Sequence, residues 1–331
     1  MKDTDTIDIL LATYNGEKYI KTQLESIINQ TYKNIRVLIN DDCSTDGTRL
    51  ILEEYEKKDK RIIVNYNEKN LGYIKNFESL LNRVESKYFM LSDQDDYWEN
   101  TKIENSLKRL IEEDADLVFT DLQPVDDKLK TITPSMIRFM NFKPNIDKYN
   151  DYKLVFLRNC VTGCTILSKK HLIKNYLPIP SNKPMVHDWW MALIIAQTGK
   201  LAFLDEPTVK YRQHGDNQLG IYGMKNYVQD FDEYRQKYIN LKLEQFKIYI
   251  ENEEQFAKKE LIQLSKDAVS YFNDIKAKKY FNFKNYKTFF DLYNMEYLSM
   301  RLKTFAMLNI PIFGRILFNL RSAMCKFKHK S

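Results

Sequence analysis

Three carboxylates within four positions, Asp93, Asp95 and Asp96, follow directly on the apolar run from Tyr88 to Leu91. Burying unpaired carboxylates is too costly for such a cluster to serve a hydrophobic core. Two of them, two residues apart at the end of a strand, can offer hard oxygen ligands to Mg2+ or Mn2+, and a cation held there can neutralise a diphosphate. The plainer alternative is a solvated acidic turn, with Asp96 capping a helix that starts near Glu99. Two further stretches carry similar chemistry. His187-Asp188-Trp189-Trp190 places a carboxylate at the start of a helix, either as a cap favoured by the helix dipole or as a general base walled off from water by indole rings. In Tyr211-Arg212-Gln213-His214-Gly215-Asp216-Asn217, an imidazole beside an arginine and a glycine turn suits metal and phosphate contact, although a lone histidine is more often structural.

These residues need a frame, and the hydrophobic periodicity supplies one. Strands are expected at Ile7 to Ala12, Ile35 to Asn40, Ile62 to Tyr66 and Tyr88 to Leu91, separated by helices over Tyr19 to Gln30, Thr48 to Lys58 and about Tyr73 to Val84. Repeated strand-loop-helix units predict a mainly parallel sheet flanked by helices, with ligands bound beyond the carboxyl ends of the strands. On that rim fall Thr13-Tyr14-Asn15, Asp41-Asp42 and Asp93 to Asp96. Tyr14 can stack on a base, and an aspartate can accept from a base N–H or a ribose hydroxyl. Neither a Gly-x-Gly-x-x-Gly fingerprint nor a Gly-Lys-Ser/Thr loop is present, which excludes a dinucleotide oxidoreductase or a P-loop ATPase and leaves a metal to carry the phosphate charge. Further strands are expected at Ala115 to Thr120, Thr162 to Leu167 and Leu201 to Asp205. Between Asp121 and Tyr152 lies a polar stretch expected to be a mobile connection.

Composition bounds the rest. With 44% hydrophobic and 29% charged residues over 331 positions, the chain is an ordinary folded protein of one large or two smaller domains. Cys43, Cys160, Cys164 and Cys325 have no zinc-ligand spacing; Cys160 and Cys164 read as buried small residues in a reducing compartment. A strand follows Met1 to Thr6 at once, and no apolar stretch reaches the roughly 20 residues of a spanning helix, so a cytoplasmic protein without a secretory leader is expected. The net charge of +6 is uneven: residues 225–331 carry +8 and the remainder −2. Tyr227, Phe231, Tyr234, Tyr238, Leu241 and Phe246 suggest a helical appendage with an aromatic core stripe. From Leu302 to Phe327, apolar residues have only basic companions, among them Arg315, Arg321 and Lys326. That suits a segment lying on anionic lipid at the inner face of the membrane, or equally a helix packed on the domain or in a homodimer interface. Nucleic acid is not an expected partner, because this positive charge sits among aliphatic residues rather than along a polar groove.

Together these stretches resemble the family 2 glycosyltransferases, inverting sugar-nucleotide enzymes of the GT-A fold. The likeness rests on Ala12-Thr13-Tyr14-Asn15-Gly16, Asp41 to Gly47, Asn70-Leu71-Gly72, Ser92 to Asp96, His187 to Trp190 and Tyr211 to Gly215, in that order. It covers residues 5–222 and is nearest to the rhamnosyltransferase-like bacterial members that build cell-wall or capsular polysaccharide. The resemblance implies a GT-A domain over 1–222 and a helical C-terminal region over 223–331. It implies a nucleoside-diphosphate sugar held by Ala12, Tyr14, Asn15, Asp41, Asp42, Lys75, Asn76, Asp93 and Arg212, and Mn2+ or Mg2+ on Asp95 and His214. Asp188 would be the catalytic base, with Gly163, Trp189 and Trp190 toward a saccharide or lipid-linked acceptor. Cys43 stands where the family more often has glycine. Two other readings stay open: a sugar nucleotidylyltransferase, which would want an Arg/Lys-bearing glycine loop after the first strand, and a non-catalytic polysaccharide- or membrane-binding protein on the same scaffold.

Overall fold

A computed structural model describes residues 5–140, 152–181, 184–215, 230–280, 282–293, 298–316 and 318. Asp216, Asn217, Tyr227, Arg321, Cys325 and Lys326, named above, lie outside them, as does part of the 121–152 connection. The chain divides into two compact units, residues 1–181 with 186–223, and residues 182–185 with 224–331.

The first unit is built on strands β1 (Ile7–Thr13), β2 (Ile35–Asp41), β3 (Ile62–Tyr66), β4 (Tyr88–Ser92), β5 (Tyr97–Trp98), β6 (Leu117–Val125), β7 (Leu167–Lys169) and β8 (Leu201–Arg212). They form one sheet in the order β3-β2-β1-β4-β7-β6-β8-β5. The block β3-β2-β1-β4 is parallel, β7 is antiparallel to both neighbours, β6 and β8 are parallel, and β5 runs antiparallel along β8. Buried on both faces, β1 reads as an uninterrupted apolar run from Ile9 to Leu11, the signature of a central parallel strand. Helices α1 (Ile20–Ile28), α2 (Thr48–Lys58), α3 (Tyr73–Leu81) and α4 (Lys102–Glu112) cover it; α1 buries Ile20, Leu24 and Ile27, and α4 buries Ile103, Leu107 and Leu110. Short helices α5 (Met136–Phe139), α6 (Tyr152–Leu157) and α7 (Ile173–Tyr176) precede α8 (His187–Ala196), every residue of which is buried. This is a mostly parallel mixed sheet flanked by helices, as the periodicity predicts.

Four local expectations are corrected. The strand expected at Thr162 to Leu167 is a 3-10 turn over Gly163–Thr165 followed by β7, because the Gly163 N–H turns toward Asp188 instead of joining a ladder. The stretch after Asp121 is not wholly a loose connection: β6 continues to Val125, with Leu122 in the core and Asp121 Oδ1 accepting from Leu122 N and Ile137 N. Strand β8 does not stop at Asp205 but passes Pro207 through register shifts, and so delivers Arg212 and His214 to the rim. Helix α4 begins at Lys102 with Thr101 at its cap, so Asp96, fully buried, caps nothing.

The second unit holds α9 (Phe231–Glu251), α10 (Lys259–Lys276), α11 (Phe283–Tyr293) and α12 (Leu298–Asn309). Phe231 and Phe246 of the aromatic stripe are core, whereas Tyr234 and Leu241 face outward. Arg235, buried, donates to the carbonyls of Met307 and Leu308 at 2.9 Å each and so closes the C-terminus of α12. Among the described residues no helix is long and apolar enough to cross a membrane.

Candidate active site

The loop after β1 is stitched to its neighbours through backbone groups. Asn15 N donates to Ser44 Oγ (2.8 Å) and Gly16 N to Thr48 Oγ1 (2.8 Å), while Asn15 Oδ1 accepts from Thr45 N (2.8 Å). Asn15 itself takes a left-handed φ of 49°, which asparagine tolerates better than most side chains. Gln94, which the sequence presents only as the spacer between Asp93 and Asp95, is the main clamp. Its Oε1 accepts from Tyr14 N (2.8 Å) and Thr13 Oγ1 (2.6 Å), and its Nε2 donates to Tyr14 O (3.0 Å). A Cβ on residue 16 would lie 2.4 Å from Gln94 Oε1, so only glycine lets the clamp close. Tyr14 is left 48% exposed on the rim.

The β2 aspartates differ in what they have to spare. Asp42 Oδ1 accepts from Asn67 Nδ2 and Leu71 N, both at 2.8 Å, and Oδ2 from Gly72 N at 2.9 Å, so this carboxylate is used to fold the Asn70-Leu71-Gly72 turn. Asn76 is likewise turned inward, between Asn67 and the Asn40 carbonyl. Asp41 Oδ1 is held by Ser44 N and Arg49 Nε, but its buried Oδ2 has no partner among the described residues. Lys75 Nζ pairs with Glu78 at 3.0 Å and reaches Ile179 O at 3.3 Å. Ala12 lies half-buried on β1, opposite Asn40 of β2.

Beyond β4 the acidic stretch gathers charge. Asp95 Oδ2 lies 2.8 Å from His214 Nε2, and the His214 ring leans on Tyr19 at 4.8 Å between centroids. Arg212 stands behind this pair: its backbone N–H donates to Asp96 Oδ1 (3.1 Å), its Nε to Asp95 O (2.7 Å), and its guanidinium lies 4.5 Å from the Tyr19 centroid. Almost wholly buried, Arg212 holds the acidic loop in shape. Burial, then the charges of Asp95 and Asp188, push the Asp93 carboxyl up to about 7. Burial and the charges of Asp95 and Asp93 push Asp96 well above the usual carboxylate range, and its Oδ2 has no partner among the described residues. Ligand atoms of Asp93, Asp96 and Cys164 lie within 4.8 Å of one another. Below them Lys102, fully buried, rests over the Trp98 ring at 4.8 Å and is lowered by burial to about 8. A carboxylate beside an imidazole, with further crowded acids around it, is the donor set that a divalent cation such as Mn2+ relieves, so the residues fit the ion. Cys164 and Lys102 escaped the sequence reading because only the fold brings them under Asp96.

Asp188 sits in the first turn of α8, 8% exposed. Its Oδ2 accepts from Gly163 N at 2.8 Å; its Oδ1 accepts from Trp189 N at 2.6 Å and Asn159 Nδ2 at 3.2 Å. Burial pushes the carboxyl up to about 6 against these three donors. Trp189 and Trp190 are buried, and their indole N–H groups donate to the carbonyls of Val155 and Tyr176. They anchor the helix that carries Asp188. The structure thus brings Tyr14, Asp41, Asp93, Asp95, His214 and Asp188 to the strand-end rim, and turns Asp42, Asn76, Arg212 and both tryptophans to supporting that rim.

A curled, mostly parallel sheet with a carboxylate-histidine pair and a second buried carboxylate at its C-terminal edge is the architecture of a GT-A transferase. The chain belongs to Glycosyl transferase family 2, whose sequence pattern matches residues 8–175, and it is a glycosyltransferase. It is 33% identical over 222 residues to the dTDP-rhamnosyl transferase RfbG of Shigella flexneri, a match spanning 63% of this chain and 73% of that one. Among solved structures, Staphylococcus aureus TarS 1-349 in complex with UDP-GlcNAc superimposes with a TM-score of 0.53 at 17% identity, covering 91% of this chain and 83% of that one. The mannosyltransferase PcManGT from Pyrobaculum calidifontis in complex with GDP-Man and Mn2+ gives 0.53 at 14% identity, covering 94% and 86%. At such identities the two structures speak for the GT-A fold.

Proposed function

We propose that this chain is an inverting glycosyltransferase that moves a sugar from a nucleoside-diphosphate donor to a saccharide or lipid-linked acceptor of bacterial cell-surface polysaccharide, with residues 1–222 as the transferase domain. The observation that carries this reading is Asp188: a buried, basic carboxylate on three fixed donors, close enough to the acidic loop that Asp93 feels its charge. Asp188 takes the proton of an acceptor hydroxyl. The oxygen bonds to the anomeric carbon from the face opposite the diphosphate, whose bond to that carbon breaks with the electron pair leaving on the nucleotide, so the centre inverts. Asp95 and His214, with Asp93 alongside, would hold Mn2+ or Mg2+, which supplies charge neutralisation at the diphosphate. Tyr14 stacks on the base, the second oxygen of Asp41 accepts from base or ribose, and Ala12 of β1, Asn15 of the loop after it and Lys75 of α3 complete the nucleotide contacts. Likeness to RfbG favours dTDP-rhamnose; a UDP-hexose would use the same Asp41 contact. The test is binding and slow hydrolysis of a panel of nucleotide sugars by the purified chain, with and without Mn2+. Turnover of none, with or without acceptor saccharides, would refute the assignment.

Gln94→Ala deletes the clamp without touching a carboxylate. The expected result is a roughly 10-fold weaker Kd for dTDP or UDP, because Tyr14 loses its fixed place. Titration calorimetry reads this directly, and an unchanged Kd would mean that the loop holds its shape without the clamp.

The second unit supports membrane attachment at the inner face. Ile312 is 81% exposed, and Leu302, Phe313 and Ile316 are also exposed, beside Lys303 and Arg315. Cutting the chain at residue 302 would remove buried Met307 and Leu308, so substitution is the better probe. Ile312→Glu with Ile316→Glu should reduce sedimentation with phosphatidylglycerol vesicles by roughly 10-fold or more while keeping the folding midpoint. Unchanged vesicle binding, with loss of a dimer on size-exclusion chromatography, would instead assign this face to a second copy of the chain.

A further inference from the structure

His187 lies next to Asp188 in the chain, yet no role for it follows from the reading above. Its ring is 6% exposed, stacked on Phe77 at 4.2 Å between centroids and edge-on to Tyr73 at 6.2 Å. Neither ring nitrogen has a hydrogen-bond partner among the described residues. Two orphaned polar atoms on one buried ring are rare, and each costs stability that a phenyl ring in the same place would not. Burial lowers the imidazole to about 3, so it is neutral and offers one donor and one acceptor.

Where those atoms point is set by Gly163. A Cβ on that residue would lie 3.0 Å from His187 Nε2 and 3.7 Å from Asp188 Oδ2. Gly163 thus presents only backbone to both the imidazole and the carboxylate, and a side chain there would crowd Nε2. Such sites, where a polar group is left unsatisfied beside the reacting centre, reject a substrate lacking the matching hydroxyl far more strongly than an apolar wall can.

We propose that His187 is a specificity-determining residue whose unpartnered imidazole hydrogen-bonds a sugar hydroxyl beside Asp188, at the bare backbone of Gly163. This rests on the transferase reading of the site but not on Asp188 being the base. The hydroxyl can belong to the donor sugar or to the acceptor, and the two are separable.

The test is His187→Phe, which preserves the stack on Phe77 and removes both nitrogens. Its thermal midpoint should equal or exceed that of the unaltered protein. If the hydroxyl is the donor's, affinity for dTDP-rhamnose or UDP-glucose falls roughly 10- to 100-fold while affinity for dTDP or UDP, which lack the sugar, stays the same. If it is the acceptor's, donor binding and hydrolysis are unchanged and only kcat/KM for transfer falls by that factor. A folded His187→Phe protein with unaltered donor affinity and unaltered transfer overturns the proposal, as does an equal loss for sugar-bearing and sugar-free nucleotides. Should His187→Phe fail to fold, Gly163→Ala crowds Nε2 while leaving the ring and the backbone N–H, and the same selective loss is expected. Asp188→Asn separates the two readings: retention of transfer there would refute the base assignment and leave the His187 result standing.

Discussion

Replacing Asp188 with asparagine should slow transfer by roughly 1000-fold while donor affinity stays within about 2-fold. Asparagine keeps the shape of the side chain and an acceptor oxygen for the Gly163 or Trp189 N–H, but it has no oxygen basic enough to take a proton. The expected size of the effect follows from the balance of forces on the carboxylate. Burial alone would hold Asp188 protonated and useless as a base; three hydrogen-bond donors pull it back until it titrates near 6. At neutral pH it is then ionised, yet more basic than an exposed aspartate. Transfer, read as kcat/KM, should therefore rise with pH through about 6 and level off, and the asparagine variant should lack that limb. Stability runs the other way. Because the folded-state value lies above the ordinary 3.8, the folded protein binds this proton more tightly than the unfolded chain does. The stabilisation from this group is complete below about 4 and lost as pH rises through about 6. The difference in thermal midpoint between pH 5 and pH 7.5 should accordingly shift in Asp188→Asn toward greater relative stability at the higher pH. Transfer within 10-fold of the unaltered enzyme, or a surviving limb near 6, would remove Asp188 from the chemistry.

How much of this was legible before the structure depends on whether a signal is local. Strands β1, β2 and β4 are buried on both faces and so announce themselves as apolar runs ending in Thr13, Asp41 and Ser92; that places the loops on one rim. Asp188 is legible as a carboxylate in a helix's first turn, and the family resemblance pairs Asp95 with His214, which lie 2.8 Å apart. What the sequence hides is which polar groups are spent internally. Asp42 and Asp41 are adjacent and chemically identical, yet the first is consumed by the turn at Asn70 to Gly72, and the second retains a free oxygen. Gln94 looks like a spacer because its partner, the Tyr14 backbone, is 80 positions away. Residues 162–167 read as a strand because Thr162, Thr165 and Ile166 are β-branched, and the need of Asp188 for the Gly163 N–H overrides that preference. Pro207 reads as the end of a strand, whereas a register shift lets β8 pass it and carry Arg212 beneath Asp95.

Removal of the cation proposed on Asp95 and His214 should have the second-largest effect. Asp93, Asp95 and Asp96 stand within four positions; burial first, and then the charge of neighbouring carboxylates, raises Asp93 and Asp96. The protein answers with little: the Arg212 guanidinium is spent on the Asp95 carbonyl and the Tyr19 face, and Lys102 is itself lowered toward neutrality by burial. The divalent ion proposed on Asp95 and His214 would supply the compensation, so saturating Mn2+ should raise the thermal midpoint by several degrees even without substrate. Asp95→Ala and His214→Ala should each abolish that increment and lower donor turnover by roughly 100-fold or more, since two protein ligands cannot spare one. The His214→Ala variant is the sharper probe. It leaves all three carboxylates in place, so a loss of the Mn2+ shift there reports coordination rather than relief of repulsion. A full Mn2+ shift in His214→Ala would take the imidazole out of the ligand set and leave it a packing partner of Tyr19. Absence of any shift in the unaltered protein, with chelator-insensitive turnover, would mean that the acidic loop works protonated and that transfer proceeds without the ion.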